Sequence, residues 1–83
     1  MRVRVLFFGV LKDIFGGTEE MAEMAAGSRV ADVVDGFVRR AGGRQELMRS
    51  VAVAVNREYA SLEQVLQDGD EVALLPPVTG GAL

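Results

Sequence analysis

The stretch SRVADVVDGFVRRAGG, residues 28–43, decides the fold. Val30, Val33, Val34, Phe37, Val38 and Ala41 recur within it at helical spacing, which predicts one amphipathic helix. Ser28 stands where an N-cap belongs, and Asp32 falls in the first turn, where the helix dipole favours an acid. Gly42-Gly43 ends the helix. Gly36 interrupts it at a cost of about 1 kcal/mol relative to Ala. Its missing side chain is read as room for a close approach to a sheet.

Strands flank this helix on both sides. Val3–Phe8, VRVLFF, is rich in β-branched and aromatic residues. Alternation sends Val3, Val5 and Phe7 to one face and Arg4, Leu6 and Phe8 to the other. Leu11–Phe15 reads as a short helix stopped by Gly16-Gly17. Thr18–Ala25 carries Met and Ala that favour helix, between glycines that do not. It is read as a second strand in a hairpin with the first. After the main helix, Val51–Val55 alternates large and small side chains as a strand, and Asn56-Arg57-Glu58 makes a turn. Leu62–Leu66 is read as one helical turn. Asp68-Gly69-Asp70 is a turn, Glu71–Leu75 is the last strand, and Pro76-Pro77 ends it. One main helix on one face of a mixed sheet is an α+β arrangement. The expected domain covers residues 1–75, with an extended tail over 76–83.

Composition narrows the chemistry. With 83 residues, 49% hydrophobic and 25% charged, the chain fits one packed domain. A net charge of −3 offers nothing to phosphate backbones, so nucleic acid is not expected as a partner. No apolar run approaches a membrane span and no signal-peptide pattern opens the chain, so a cytoplasmic location is the expectation. The chain has no Cys and no His, which removes thiol nucleophiles, an imidazole base and the usual zinc ligands. No metal or cofactor is expected. Gly16-Gly17 and Gly42-Gly43 lack the spacing and the Lys-Ser/Thr of a phosphate loop. Asp68, Asp70 and Glu71 lack the other ligands of a calcium loop and suit a turn. Glu19 and Glu20, as neighbours in a strand, face opposite ways and make a poor acid/base pair. Arg39, Arg40, Arg44 and Arg49 suit the end of the helix and a solvated face.

The unusual feature is the end, Pro76-Pro77-Val78-Thr79-Gly80-Gly81. Six extended residues reach roughly 20 Å. Two prolines stiffen the root, and two glycines leave the far end without side chains. Such a probe can enter a narrow channel and present a backbone carboxyl group. On chemistry alone a frayed terminus is the commoner reading.

Val5-Leu6-Phe7-Phe8, Ala54-Val55-Asn56 and LQDGDEVALLPPVTGG, residues 66–81, together resemble the small subunits of molybdopterin synthase, a family of ubiquitin-like sulfur carriers. The resemblance spans almost the whole chain in order and spacing. It implies a ubiquitin-like β-grasp fold. It also implies that an ATP-dependent activating enzyme adenylates the carboxyl group of Gly81, which a sulfur donor converts to a thiocarboxylate. Gly80 is then its channel partner. The large synthase subunit receives the tail, and the sulfur passes to a cyclic pterin phosphate during molybdenum cofactor biosynthesis. The carrier itself is non-catalytic, the catalytic side chains lie on the large subunit, and the family assembles as a heterotetramer. Phe8, Lys12 and Leu75 match family positions at the interface with the large subunit, and Pro76, Pro77, Val78 and Thr79 of the tail are expected to bind the partner as well. Alternation adds Leu6 and Ala73. If Val5, Phe7, Val72 and Leu74 face the helix, then Leu6, Phe8, Ala73 and Leu75 form an exposed apolar patch beside the tail root.

One departure stands out. Family members end at Gly-Gly, whereas Ala82-Leu83 follows Gly81 here. Ala82-Leu83 is removed by a protease, or is a cloning remnant, or leaves the chain inactive. Other Gly-Gly readings are a carrier for thiamine, cysteine or tRNA thiolation, a ubiquitin-like protein modifier, and an interaction domain with an idle tail.

Overall fold

The computed structural model describes residues 1–77. The strands are β1 (Arg2–Phe7), β2 (Glu19–Glu23), β3 (Ala52–Val55), β4 (Glu58–Tyr59) and β5 (Glu71–Leu75). The helices are α1 (Leu11–Phe15), α2 (Val30–Arg40) and α3 (Gln45–Arg49), the last preceded by a 3-10 turn over Gly42–Arg44. The sheet order is β2-β1-β5-β3-β4. β1 and β5 run parallel and every other pair is antiparallel, so the sheet is mixed.

The α2 stripe meets the inner face of the sheet. Val30, Val33, Val34 and Phe37 pack on Val3, Val5 and Phe7 of β1, Val72 and Leu74 of β5, and Val53 and Val55 of β3. Phe7 sits at the centre of an aromatic group, its ring 5.0 Å from that of Phe15 and 5.4 Å from that of Phe37. Met48 of α3 and Leu66, in the segment between β4 and β5, also belong to this core. The expectation of one helix on one face of a mixed sheet therefore holds, with Thr18–Ala25 supplying β2.

Several local expectations need correction. The N-cap of α2 is Arg29, not Ser28. Asp32 Oδ2 accepts the Arg29 amide at 2.8 Å, while the Ser28 carbonyl is engaged by the Leu66 amide at 2.8 Å. That second bond belongs to a larger correction. Leu62–Leu66 is not helical, and Val65 forms a β-bridge with Arg29. A turn at Leu62-Glu63 followed by the bridge at Val65 lets the Gln64 and Leu62 carbonyls accept the Val30 and Ala31 amides at 2.9 and 3.0 Å. These are first-turn donors that have no partner inside the helix. The same path delivers Leu66 to the core at 1% exposure. Gly36 makes no close approach, since an added Cβ would meet nothing within 4 Å. The first strand is Arg2–Phe7, so Phe8 lies one residue beyond it. α3 and β4 were not anticipated. β4 follows from Asn56 and Arg57, whose φ values of 51° and 72° close a two-residue hairpin between Val55 and Glu58.

The two neighbouring acids of β2 do separate. Glu19 reaches Arg4 at 4.0 Å, and Glu20 takes both Arg40 guanidinium donors, at 2.6 and 3.0 Å. Arg40 also lies 4.8 Å above the Phe37 ring, so it is more than a solvated charge. Its hydrogen bonds hold the Glu20 carboxyl below the ordinary carboxylate range. A depressed acid contributes stability above its unfolded pKa and loses it as pH falls through the folded value. With both side chains more than a third exposed, the pair contributes less than about 1 kcal/mol. Glu20→Gln should therefore lower stability slightly at neutral pH and make no difference well below about pH 4. Urea melts at both pH values check this. An equal loss at both would assign the effect to packing.

Candidate functional site

The outer face of the sheet is built by register. Leu6 of β1 pairs with Ala73 of β5, which pairs with Ala54 of β3, so the three form one row. Leu75 pairs with Ala52 in the next row towards Pro76. Phe8 extends β1 at the same end and is 43% exposed. Leu6 and Leu75 are half-buried. Ala73 was expected to be exposed and is instead buried at 8%. β5 is flanked on both sides, and a single methyl group on a central strand is shielded by its neighbours. Ala73 is the floor of the patch rather than part of its rim.

The other end of the same face is polar. Arg4 Nη2 donates to Glu71 Oε1 at 2.8 Å, and Arg57 lies 3.9 Å from the second oxygen of Glu71. The nearby acids are committed to turns. Asp68 Oδ1 accepts the Arg2 amide at 2.8 Å, and Asp70 accepts the Gln67 amide and the Asn56 side-chain amide. The outer face is thus divided, with charges where β5 begins and apolar side chains where it ends.

Pro76 and Pro77, both half-buried, leave from the apolar end. Val78, Thr79, Gly80 and Gly81, with Ala82-Leu83, lie outside the described residues. Lys12 is exposed on α1, the element entered directly from the Phe8–Val10 turn, and makes no ion pair among the described residues. Its carbonyl accepts the Gly16 and Gly17 amides and so closes α1.

Sequence reasoning missed Gly9. It sits at φ +54°, and an added Cβ would stand 3.0 Å from Pro76 Cγ. The turn after β1 and the root of the tail are packed against one another, and only glycine combines that approach with that φ. The available signal was a lone glycine directly after a strand. Gly9→Ala should cost about 1–3 kcal/mol, from left-handed strain plus displacement of Pro76. A thermal melt should show Tm lower by roughly 5–20 °C. An unchanged Tm would mean that Pro76 yields freely and that Gly9 does not position the tail.

Among the described residues there is no group of three or more potential metal ligands, and no helix is long and apolar enough to cross a membrane. What the described residues offer is an exposed apolar patch beside the root of the tail.

Comparison with known proteins agrees with this geometry. The model of the ThiS family matches residues 5–81, so the match ends at Gly81. The molybdopterin synthase sulfur carrier subunit of Mycobacterium tuberculosis is 37% identical, over 98% of this chain and 99% of its own. A Pyrococcus furiosus protein described as a candidate molybdopterin converting factor subunit 1 superposes with a TM-score of 0.82 at 31% identity, covering 94% of this chain and 99% of its own. A chain from the complex of subunits 1 and 2 of the Helicobacter pylori molybdopterin-converting factor gives 0.67 at 30% identity, covering 98% of this chain and 100% of its own. The fold is the ubiquitin-like β-grasp.

Proposed function

The chain belongs to the ThiS family, and on that premise we propose that it is the sulfur carrier subunit of a molybdopterin synthase. The observation that carries this reading is the divided outer face, whose apolar end lies at the root of the tail that carries Gly80-Gly81. The patch built by Leu6, Phe8 and Leu75 over Ala73 docks the large subunit, with Lys12 beside it. Pro76 and Pro77 direct Val78, Thr79, Gly80 and Gly81 into the large subunit's active site. An apolar patch rimmed by charge is what such docking uses.

The chemistry follows from a chain that brings only a carboxylate. Once Ala82-Leu83 is gone, a separate ATP-dependent activating enzyme lets the freed Gly81 carboxylate displace pyrophosphate from ATP. A sulfur donor then displaces AMP, and the thiocarboxylate results. That group is ionised at neutral pH and nucleophilic through sulfur, much as a thiolate is. Within the large subunit its sulfur displaces an oxygen substituent from a carbon of the cyclic pterin phosphate, and water then hydrolyses the resulting thioester, which leaves the sulfur on the pterin and restores the Gly81 carboxylate. Everything acid–base belongs to the partners, which is how a chain without His or Cys can serve. A soluble cytoplasmic assembly of two carriers with two large subunits suits this role.

Reconstitution tests it. Thiocarboxylated carrier mixed with large subunit and the cyclic pterin precursor should yield molybdopterin, one sulfur leaving each carrier. Sulfur retained on the carrier, with large subunit and precursor both shown competent, would remove the reading.

A further inference from the structure

We propose that the free edge of β2, with the groove it shares with α2, binds an extended basic peptide as an additional strand of the sheet. This site is separate from the tail and does not rest on the sulfur-carrier reading.

The backbone supplies the first reason. Met1 and Met24 exchange hydrogen bonds at 2.8 Å in both directions, and the Phe7 amide donates to Thr18 at 2.9 Å. In an antiparallel ladder such pairs alternate with pairs whose N–H and C=O groups point outward. With Arg2 opposite Glu23, Arg4 opposite Met21 and Leu6 opposite Glu19, the outward groups are those of Glu19, Met21 and Glu23. β2 is the first strand of the sheet, and no described residue pairs with its other side. A row of unpaired donors and acceptors is a template for strand addition.

Gly36 supplies the second. Between β2 and α2 lies a groove of about 270 Å³ with Ala22, Met24, Val33 and Phe37 among its walls. Gly36 faces this groove in the middle of α2, where it weakens the helix by about 1 kcal/mol relative to Ala. Nothing among the described residues needs that space, because an added Cβ would meet no atom within 4 Å. The opening over Gly36 is room for side chains on the inner face of an added strand.

Charge selects the occupant. Residues of the added strand opposite Glu19 and Glu23 share the outer face with those acids. Both acids have exposed partners, Arg4 at 4.0 Å and Arg2 at 2.9 Å, and exposed pairs are weak enough to be exchanged. A second copy of β2 would set acid against acid, which disfavours pairing between copies. A strand with basic residues at its first and fifth positions meets Glu19 and Glu23. Its second and fourth residues point to the inner face and fill the groove, so they are aliphatic.

A blocked peptide containing Lys-Val-Thr-Val-Lys, titrated into the ¹⁵N-labelled chain, tests this. The Glu19, Met21 and Glu23 amides should shift saturably and exchange at least about tenfold more slowly with solvent. Binding should weaken several-fold as salt rises. Replacing both valines of the peptide by serine should weaken it about tenfold. Gly36→Leu should keep or raise Tm and weaken binding about tenfold, since it improves helix propensity while filling the groove. If Gly36→Leu does not fold, the double variant Glu19→Lys, Glu23→Lys replaces it with the same expected loss. No saturable shift at millimolar peptide, shifts centred on Leu6 and Leu75, or undiminished binding by the variants would each overturn the proposal.

Discussion

The chain cut back to Gly81, incubated with the activating enzyme, ATP and a sulfur donor, should gain about 16 Da as one carboxylate oxygen is replaced by sulfur. The same chain carrying Ala82-Leu83 should gain nothing at Gly81. The difference is all or none because it is a matter of functional groups. Adenylation needs a carboxylate oxygen to attack phosphorus, and a Gly81–Ala82 amide has none to offer. Activation at Leu83 instead would place a branched side chain where the tail otherwise has only glycine hydrogens. Folding does not enter, because residues 1–77 build the whole described domain. Removing Gly81 as well should abolish the gain and leave Tm unchanged. Intact-mass spectrometry reads all three chains. A 16 Da gain with Ala82-Leu83 still attached would sink the requirement for a free Gly81. A gain that appears only with loss of that dipeptide would show that a processing step precedes activation.

The sheet and its main helix were legible because burial is periodic. Val30, Val33, Val34 and Phe37 mark one helical face, and Val3, Val5 and Phe7 mark one strand face, so both patterns survive in sequence. Errors fell where backbone hydrogen bonding overrides local preference. Leu62–Leu66 has residues fit for a helical turn, yet its carbonyls are needed by the α2 amides, and that demand comes from residues about 34 positions away. Ser28 lost the N-cap position to Arg29 for the same reason, since its carbonyl is held by Leu66. Ala73 illustrates a different limit. Alternation gave its face correctly, but exposure on that face depends on which strands lie alongside, and pairing order is not local information. Gly9 could be seen as a turn glycine, while its contact with Pro76 spans most of the chain.

Two adjacent phenylalanines should separate folding from docking. Phe7 is 3% exposed and shares ring contacts with Phe15 and Phe37, whereas Phe8 is 43% exposed one residue later. Phe7→Ala removes a ring from the centre of the core and should cost about 3–5 kcal/mol. That is a large part of what a domain this small possesses, at roughly 0.05–0.15 kcal/mol per residue. Its Tm should fall by at least roughly 15 °C, and binding loss would follow only from unfolding. Phe8→Ala leaves that core intact and should cost less than about 1 kcal/mol of stability. Its effect should appear in the complex, because a half-exposed aromatic in an apolar docking patch is the kind of residue whose truncation costs about 2 kcal/mol or more of binding. The dissociation constant for the large subunit should rise roughly 30-fold or more. Leu75→Ala should behave as Phe8→Ala does, with a somewhat greater loss of stability because Leu75 is half-buried. Circular dichroism melts and calorimetric titration into the large subunit distinguish the outcomes. If Phe8→Ala melts as early as Phe7→Ala, the assignment of faces is wrong. If it folds normally and binds unchanged, the apolar end of the outer face is not the docking surface, and the tail alone must carry recognition.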